Sequence, residues 1–289
     1  MSTAVAAPFR FFALRVAGTR RLGPSLVRVT FEGPDLREFR SDGRDQSLSL
    51  FLPHPGQSAP VVPVELGDDW WRGWRELPDD VRAVMRSYTL RGLRADAEGR
   101  TTGIDVDFVL HGVTEGAGPS AEAGPASRWA ARAAAGDRVL LLGPAVADNR
   151  AIRFRPPEDT DLVLLWADET ALPATAAVLE TLPAGTRARV WLEVPHSGDV
   201  QDLATDADAE ITWLVGHAHD QGSPMALDDI RTTELPPAER PYVWIAGEAD
   251  HVKRLRRHFV GERGIDRRRV TFVGYWRRGL TEEQLREQG

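Results

Sequence analysis

The chain has 289 residues, 42% hydrophobic and 27% charged, with a formal net charge of −7, a composition ordinary for a soluble globular protein and a length that suggests two domains, each with its own core. It contains no cysteine, which excludes disulfides, thiolate-bound iron–sulfur clusters and cysteine nucleophiles, so any redox chemistry belongs to an added organic cofactor. No run approaches the roughly 18 apolar residues that span a bilayer, and no basic segment precedes the apolar N-terminal stretch, so no membrane insertion and a cytoplasmic location are expected.

Residues 9–16, 26–32 (behind Gly23-Pro24), 48–52 (ahead of Pro53), 86–91 and 104–110 read as short strands divided by turn signals. This spacing, without long helical patterns, predicts an antiparallel β-barrel. The segment 54–85 is rich in Pro and Trp (Trp70, Trp71, Trp74) and longer than most connections; it reads as a lid or a surface loop.

The strand at 86–91 concentrates chemistry. Arg86, Tyr88 and Leu90 share one face, and Ser87, Thr89 and Arg91 the other. A flavin needs such a set: a phenol to cover its rings, hydroxyls near the redox nitrogen and guanidinium groups for its phosphates. Taken alone, the same residues also describe an ordinary amphipathic strand. A second group follows: Asp107 to Leu110 ends a strand at His111-Gly112, and a Gly/Pro loop leads to Gly124-Pro125-Ala126-Ser127-Arg128-Trp129. Pro125 suits a first helical turn, whose free N–H groups bind anions where Gly124 lets a ligand come close. A plain helix cap would look the same.

Residues 137–143 form a further strand, and 147–160 read as the boundary between domains 1–150 and 151–289. From Leu162 buried-type strands alternate with helices, which implies a parallel sheet with crossover helices and ligands beyond the C-terminal strand ends. Those ends hold Asp168-Glu169-Thr170, Glu193 with His196-Ser197, and Gly247-Glu248; no Gly-x-Gly-x-x-Gly occurs, so Asp168 and Glu169 are expected to face a pyrophosphate with negative charge. Residues 253–278 carry ten basic side chains against Glu262 and Asp266, a +8 segment in a chain otherwise at −15. Such a segment steers anionic small molecules or is a salt-bridged helix surface; nucleic acid is not expected. His217 and His219 lack a third ligand for zinc, and Asp202, Asp206, Asp208 and Glu210 read as a solvated acidic loop, so no metal site is expected.

In order, Arg86-x-Tyr88-Thr89-x-Arg91, the His111-Gly112 turn, Gly124-Pro-Ala-Ser-x-Trp129, Asp168-Glu-Thr170-Ala-x-Pro-Ala, Gly247-Glu248-Ala and Gly274-Tyr275-Trp276-Arg-Arg-Gly279 resemble the siderophore-interacting proteins, a branch of the ferredoxin reductase superfamily. The resemblance spans residues 8–280. It implies an N-terminal antiparallel FAD-binding β-barrel, then a C-terminal parallel-sheet α/β domain that binds NADPH or NADH. It also implies a monomeric reductase of ferric siderophores. Arg86, Ser87, Tyr88, Thr89, Arg91, Asp107, His111, Gly112, Gly124, Ala126, Ser127 and Trp129 are then the flavin residues, with Tyr88 and Thr89 nearest the chemistry. Asp168, Thr170 and Glu248 serve the dinucleotide, and Tyr275 and Trp276 cover the nicotinamide side of the flavin. Lys253 and Arg254 are expected to meet the anionic chelate. Ser47 and Ser49 stand where many relatives have His and Lys, so the siderophore type stays open. Open too are a ferredoxin-like donor, a flavin or quinone acceptor, and a non-catalytic siderophore carrier.

Overall fold

Alternation of buried and exposed side chains builds the first half. In the computed structural model, which describes residues 8–114, 118–120, 123–216 and 225–280, the chain divides into two compact units, 1–152 and 153–289. In the first, Phe12, Leu14 and Val16 of β1 (Phe9–Arg21) point inward while Arg10, Ala13 and Arg15 are exposed. The other strands of its main sheet are β2 (Leu26–Glu32), β3 (Ser47–Leu52), β4 (Val84–Thr89), β5 (Gly92–Ala95), β6 (Thr101–Val109) and β9 (Arg138–Pro144). A two-residue hairpin, β7 (Val113–Thr114) and β8 (Gly118–Pro119), precedes a short helix, α2 (Pro125–Ala130).

The seven strands pair antiparallel in the order β4-β3-β9-β1-β2-β6-β5. The sheet curls until its ends meet: just beyond β4, the Arg91 N–H donates to Asp105 O on β6 at 2.9 Å. Inside lie Phe12, Phe31, Leu50, Ile104, Phe108 and Trp129.

The segment 54–85 is neither a lid over this interior nor a bare loop. Its helix α1 (Trp70–Glu76) puts Trp74 into a second core with Phe51, Ala83 and Met85. Trp70 packs edge-on against Phe11 and Phe51, and Trp74 Nε1 donates to Ala83 O at 3.2 Å. Met85 and Phe51 alternate along their strands with Val84 and Leu50 of the inner core, so the segment covers the outer face of the sheet.

The second unit is a five-stranded parallel sheet in the order β12-β11-β10-β13-β14. The strands are β10 (Leu162–Ala167), β11 (Arg187–Val194), β12 (Asp208–Val215), β13 (Pro241–Glu248) and β14 (Val270–Trp276), joined in part by α3 (Leu172–Thr181), α4 (Met225–Thr232) and α5 (Ala249–Arg257). Every residue of β10 is buried, as a central strand covered on both faces requires. The chain leaves β10 toward β11 on one side and returns to β13 on the other. The end of β10 is therefore the switch point where open parallel sheets receive ligands.

The helical stretch after β13 is not one regular α-helix. α5 ends at Arg257 and continues as a π turn, His258–Glu262. There the Arg263 N–H reaches His258 O at 3.0 Å, and His258 Nδ1 lies 2.8 Å from Glu262 Oε2. The wider turn keeps His258 and Phe259 buried, a choice that apolar spacing alone does not reveal.

Candidate functional site

In the first unit the candidate residues gather where β4 ends, β6 ends and α2 begins. Register places Tyr88 opposite Leu48 and Ser87 opposite Ser49. The half-buried Tyr88 ring lies 4.3 Å from Phe108, centroid to centroid, and Phe108 in turn packs at 5.6 Å on Trp129. Trp129 is stacked at 6.3 Å on Phe31. Trp129 is thus buried support behind Tyr88. Thr89 is buried, Ser87 is exposed, and Arg86 Nη1 donates to Met85 O at 2.8 Å.

Asp107 is held by Arg28, whose Nε and Nη2 reach its two oxygens at 2.6 and 2.8 Å. The two residues are register partners across β2 and β6. Half-buried His111 precedes Gly112, which has φ +66° and lies so near Ala123 that a Cβ would sit 2.8 Å from the Ala123 nitrogen. Only glycine fits that turn. Arg128 fastens the same loop, Nε to Ala123 O at 2.7 Å and Nη2 to Ser120 O at 2.9 Å. Ser127 Oγ donates to Val109 O at 3.0 Å, tying α2 to the end of β6, and Ala126 is buried beside it.

In the second unit Asp168 is a hub, 4% exposed. Its Oδ1 accepts from the Thr170 N–H (2.9 Å) and hydroxyl (2.5 Å), and its Oδ2 from the Glu248 N–H and Trp276 Nε1, both at 2.8 Å. A Cβ on Gly247 would come within 2.5 Å of Asp168 Oδ2. Glu248 caps α5, with Oε2 accepting from the N–H groups of Asp250 (2.7 Å) and His251 (3.0 Å). Tyr275 and Trp276 are half-buried. Lys253 and Arg254 are exposed on α5, with Lys253 Nζ 3.3 Å from Asp250.

The sequence leads one to expect Asp168 and Glu169 to face a ligand with their charge. Instead both turn inward: Asp168 onto donors from its own turn, β13 and β14, and Glu169 into the interior at 1% exposure. Burial first, then the nearby Asp168, pushes the Glu169 carboxyl well above the ordinary range. Glu193, on β11, accepts from Trp166 Nε1 at 2.8 Å and is pushed up to about 7, chiefly by burial.

Two family models match the chain in tandem: a siderophore-interacting FAD-binding domain over residues 15–148 and a siderophore-interacting protein model over residues 160–279. The siderophore-interacting protein SipS from Aeromonas hydrophila superposes with a TM-score of 0.74 at 30% identity, covering 96% of each chain. The chain belongs to the siderophore-interacting protein family. Among relatives, the NADPH-dependent ferric-chelate reductase of Escherichia coli is 30% identical, covering 92% of this chain and 93% of its own. The ferric vibriobactin reductase ViuB of Vibrio cholerae is 29% identical, covering 91% and 88%.

The first unit of this siderophore-interacting protein fits FAD on its own geometry. Tyr88 offers a ring braced from behind by Phe108, and a Cβ on Gly124 would meet nothing within 4 Å. That open backbone at the start of α2 is where a phosphate can approach. Sequence reading missed Arg28 and gave Arg128 and Gly247 no role of their own, yet all three hold expected residues in place. Only the cross-strand register could have paired Arg28 with Asp107. Among the described residues no cluster of three His, Cys, Asp or Glu side chains is placed to hold a metal ion; His217 and His219 lie outside them. No described helix is long and apolar enough to cross a membrane.

Proposed function

We propose that this protein is an FAD-dependent ferric-siderophore reductase that takes electrons from NADPH or NADH and releases Fe(II) in the cytoplasm. The observation that supports it most is the pairing of the FAD-binding match with the braced Tyr88 strand in one unit. Relatives along nearly the whole chain are named as ferric reductases.

FAD, when bound, would supply the conversion between a two-electron hydride donor and a one-electron acceptor, a balance in which one NAD(P)H is matched to two Fe(III) and releases one proton. The chain supplies position and charge. Tyr88 covers the ring, and Ser87 and Thr89 offer hydroxyls at its edge. Arg86 and Arg91 neutralise phosphates, and the backbone at His111-Gly112 and Gly124 lets them approach. Asp107, fixed by Arg28, keeps the strand beneath them in register. In the second unit Asp168, Thr170 and Glu248 shape the strand ends for the dinucleotide, with Tyr275 and Trp276 beside them. Lys253 and Arg254 attract a chelate bearing about three negative charges. Ferrous iron binds the hard oxygen ligands less well, so release needs no protein ligand.

A ferredoxin-like donor would find no exposed carboxyl at Asp168 or Glu169, since both side chains are buried. The protein is proposed to act as a monomer, which light scattering tests directly. The visible spectrum tests the whole reading: a flavin spectrum should bleach anaerobically with NADPH or NADH and recover on adding ferric siderophore with a ferrous trap. A protein that cannot be loaded with FAD, or a reduced flavin indifferent to every ferric chelate, overturns it.

A further inference from the structure

Two carboxyls of the second unit have no part in the reaction above. Glu169, in the turn after β10, is buried, and among the described residues neither of its oxygens has a hydrogen-bond partner. Glu193, next to last in the adjacent strand β11, accepts a hydrogen bond from the Trp166 indole at 2.8 Å. Around them stand Asp168 on the end of β10, buried Asp199 in the turn after β11, and Asp229 on α4, whose charge acts on Glu193. His251 on α5 lies edge-on to the Trp166 ring at 6.3 Å. Among the described residues no guanidinium or ammonium group is paired with Asp168, Glu169 or Glu193. Buried carboxyls so placed do not tolerate further negative charge.

We propose that Glu169 and Glu193 are a proton-storing pair that couples dinucleotide binding to proton uptake, the strand ends of β10 and β11 accepting the anionic donor when both carboxyls are neutral. This rests on the reading that the second unit takes NADPH or NADH. The pair lies under the switch point of the sheet, where such ligands bind, and a pyrophosphate there carries two negative charges. In a buried setting their repulsion with an ionised pair is only weakly screened. Neutral Glu169 also holds a proton donor that meets no acceptor among the described residues.

The sign follows from linkage. Burial raises both groups, Glu193 to about 7, and a bound anion raises them further. Binding therefore takes up protons, and affinity is full below the free-state titration and falls as pH rises through it. The loss approaches one decade per pH unit per proton.

The test is calorimetric titration of the FAD-loaded protein with NAD+ and NADP+, which bind without turnover, from pH 6 to 9. Two buffers of different ionisation enthalpy give the proton count. NAD+ has no group of its own titrating in this range, so it is the reference. The expected wild-type result is a Kd that weakens about tenfold or more from pH 6 to 8 with net proton uptake. Glu169→Gln and Glu193→Gln, neutral and nearly isosteric, should each reduce the slope and keep tight binding at pH 8. A pH-independent Kd with no proton uptake, a measurement on wild type alone, overturns the pair while leaving NAD(P)H binding intact, as do Gln variants with the wild-type slope. Absence of binding by either dinucleotide at every pH overturns the NAD(P)H reading itself, and the inference with it.

Discussion

Trp276 Nε1 donates to Asp168 Oδ2 at 2.8 Å, joining the end of β14 to the end of β10 across the intervening strand β13. The same oxygen receives the Glu248 N–H of β13, so one side chain fastens three strand ends. Asp168→Asn should destabilise the second unit by about 3 kcal/mol, because an amide turns its own donors toward donors. Trp276→Phe should cost about 1–2 kcal/mol by losing one bond to a carboxylate. Urea unfolding reads both; equal stability of wild type and Asp168→Asn would remove the hub.

Gly247→Ala meets two obstacles. Its φ of +148° is unfavourable for a side chain, and the Cβ would lie 2.5 Å from Asp168 Oδ2. A loss of about 1–3 kcal/mol is expected, with weaker dinucleotide binding since the strand ends must part. Differential scanning calorimetry and NADP+ titration of the variant check the two consequences separately.

Tyr88→Ala should raise the Kd for FAD at least tenfold, equivalent to about 1.4 kcal/mol, while Tyr88→Phe keeps the ring over the flavin and most of the affinity. Flavin fluorescence during reconstitution measures this. Full FAD retention by Tyr88→Ala would place the isoalloxazine elsewhere.

Arg28→Ala leaves the buried Asp107 carboxyl without its bidentate partner and should cost roughly 3 kcal/mol. The double change Arg28→Leu with Asp107→Leu should recover most of that loss, since a well-packed apolar pair replaces a partly buried ion pair. A double variant as unstable as the single one would mean that Asp107 has a partner besides Arg28.

Lys253→Glu with Arg254→Glu should lower kcat/KM for an anionic ferric siderophore about tenfold, and added salt should shrink the difference. Flavin reduction by NAD(P)H, followed by stopped flow, should stay near the wild-type rate. A reductive half-reaction that slows as much as chelate reduction would assign these cations to the dinucleotide instead.

Much of this was legible from the chain because strands announce themselves. The alternation of β1 and the unbroken apolar run of β10 each admit one reading, and Tyr88 falls on the face that its strand's periodicity requires. What stayed hidden depends on partners far away in sequence. Arg28 meets Asp107 only through the β2–β6 register. The Trp-rich segment became a second core because Phe11 and Phe51 wait on the outer face. The direction of Asp168 was hidden most deeply: a carboxylate after a strand reads as exposed, and the absent side chain of Gly247 is what gives it room to turn inward.

The hub also limits how this turn can be re-engineered. Grafting a glycine-rich phosphate loop in place of Asp168-Glu169-Thr170 would withdraw the acceptor on which the Glu248 N–H and the Trp276 indole depend. A transplant that keeps the three strand ends joined must exchange Asp168, Gly247, Glu248 and Trp276 as one block.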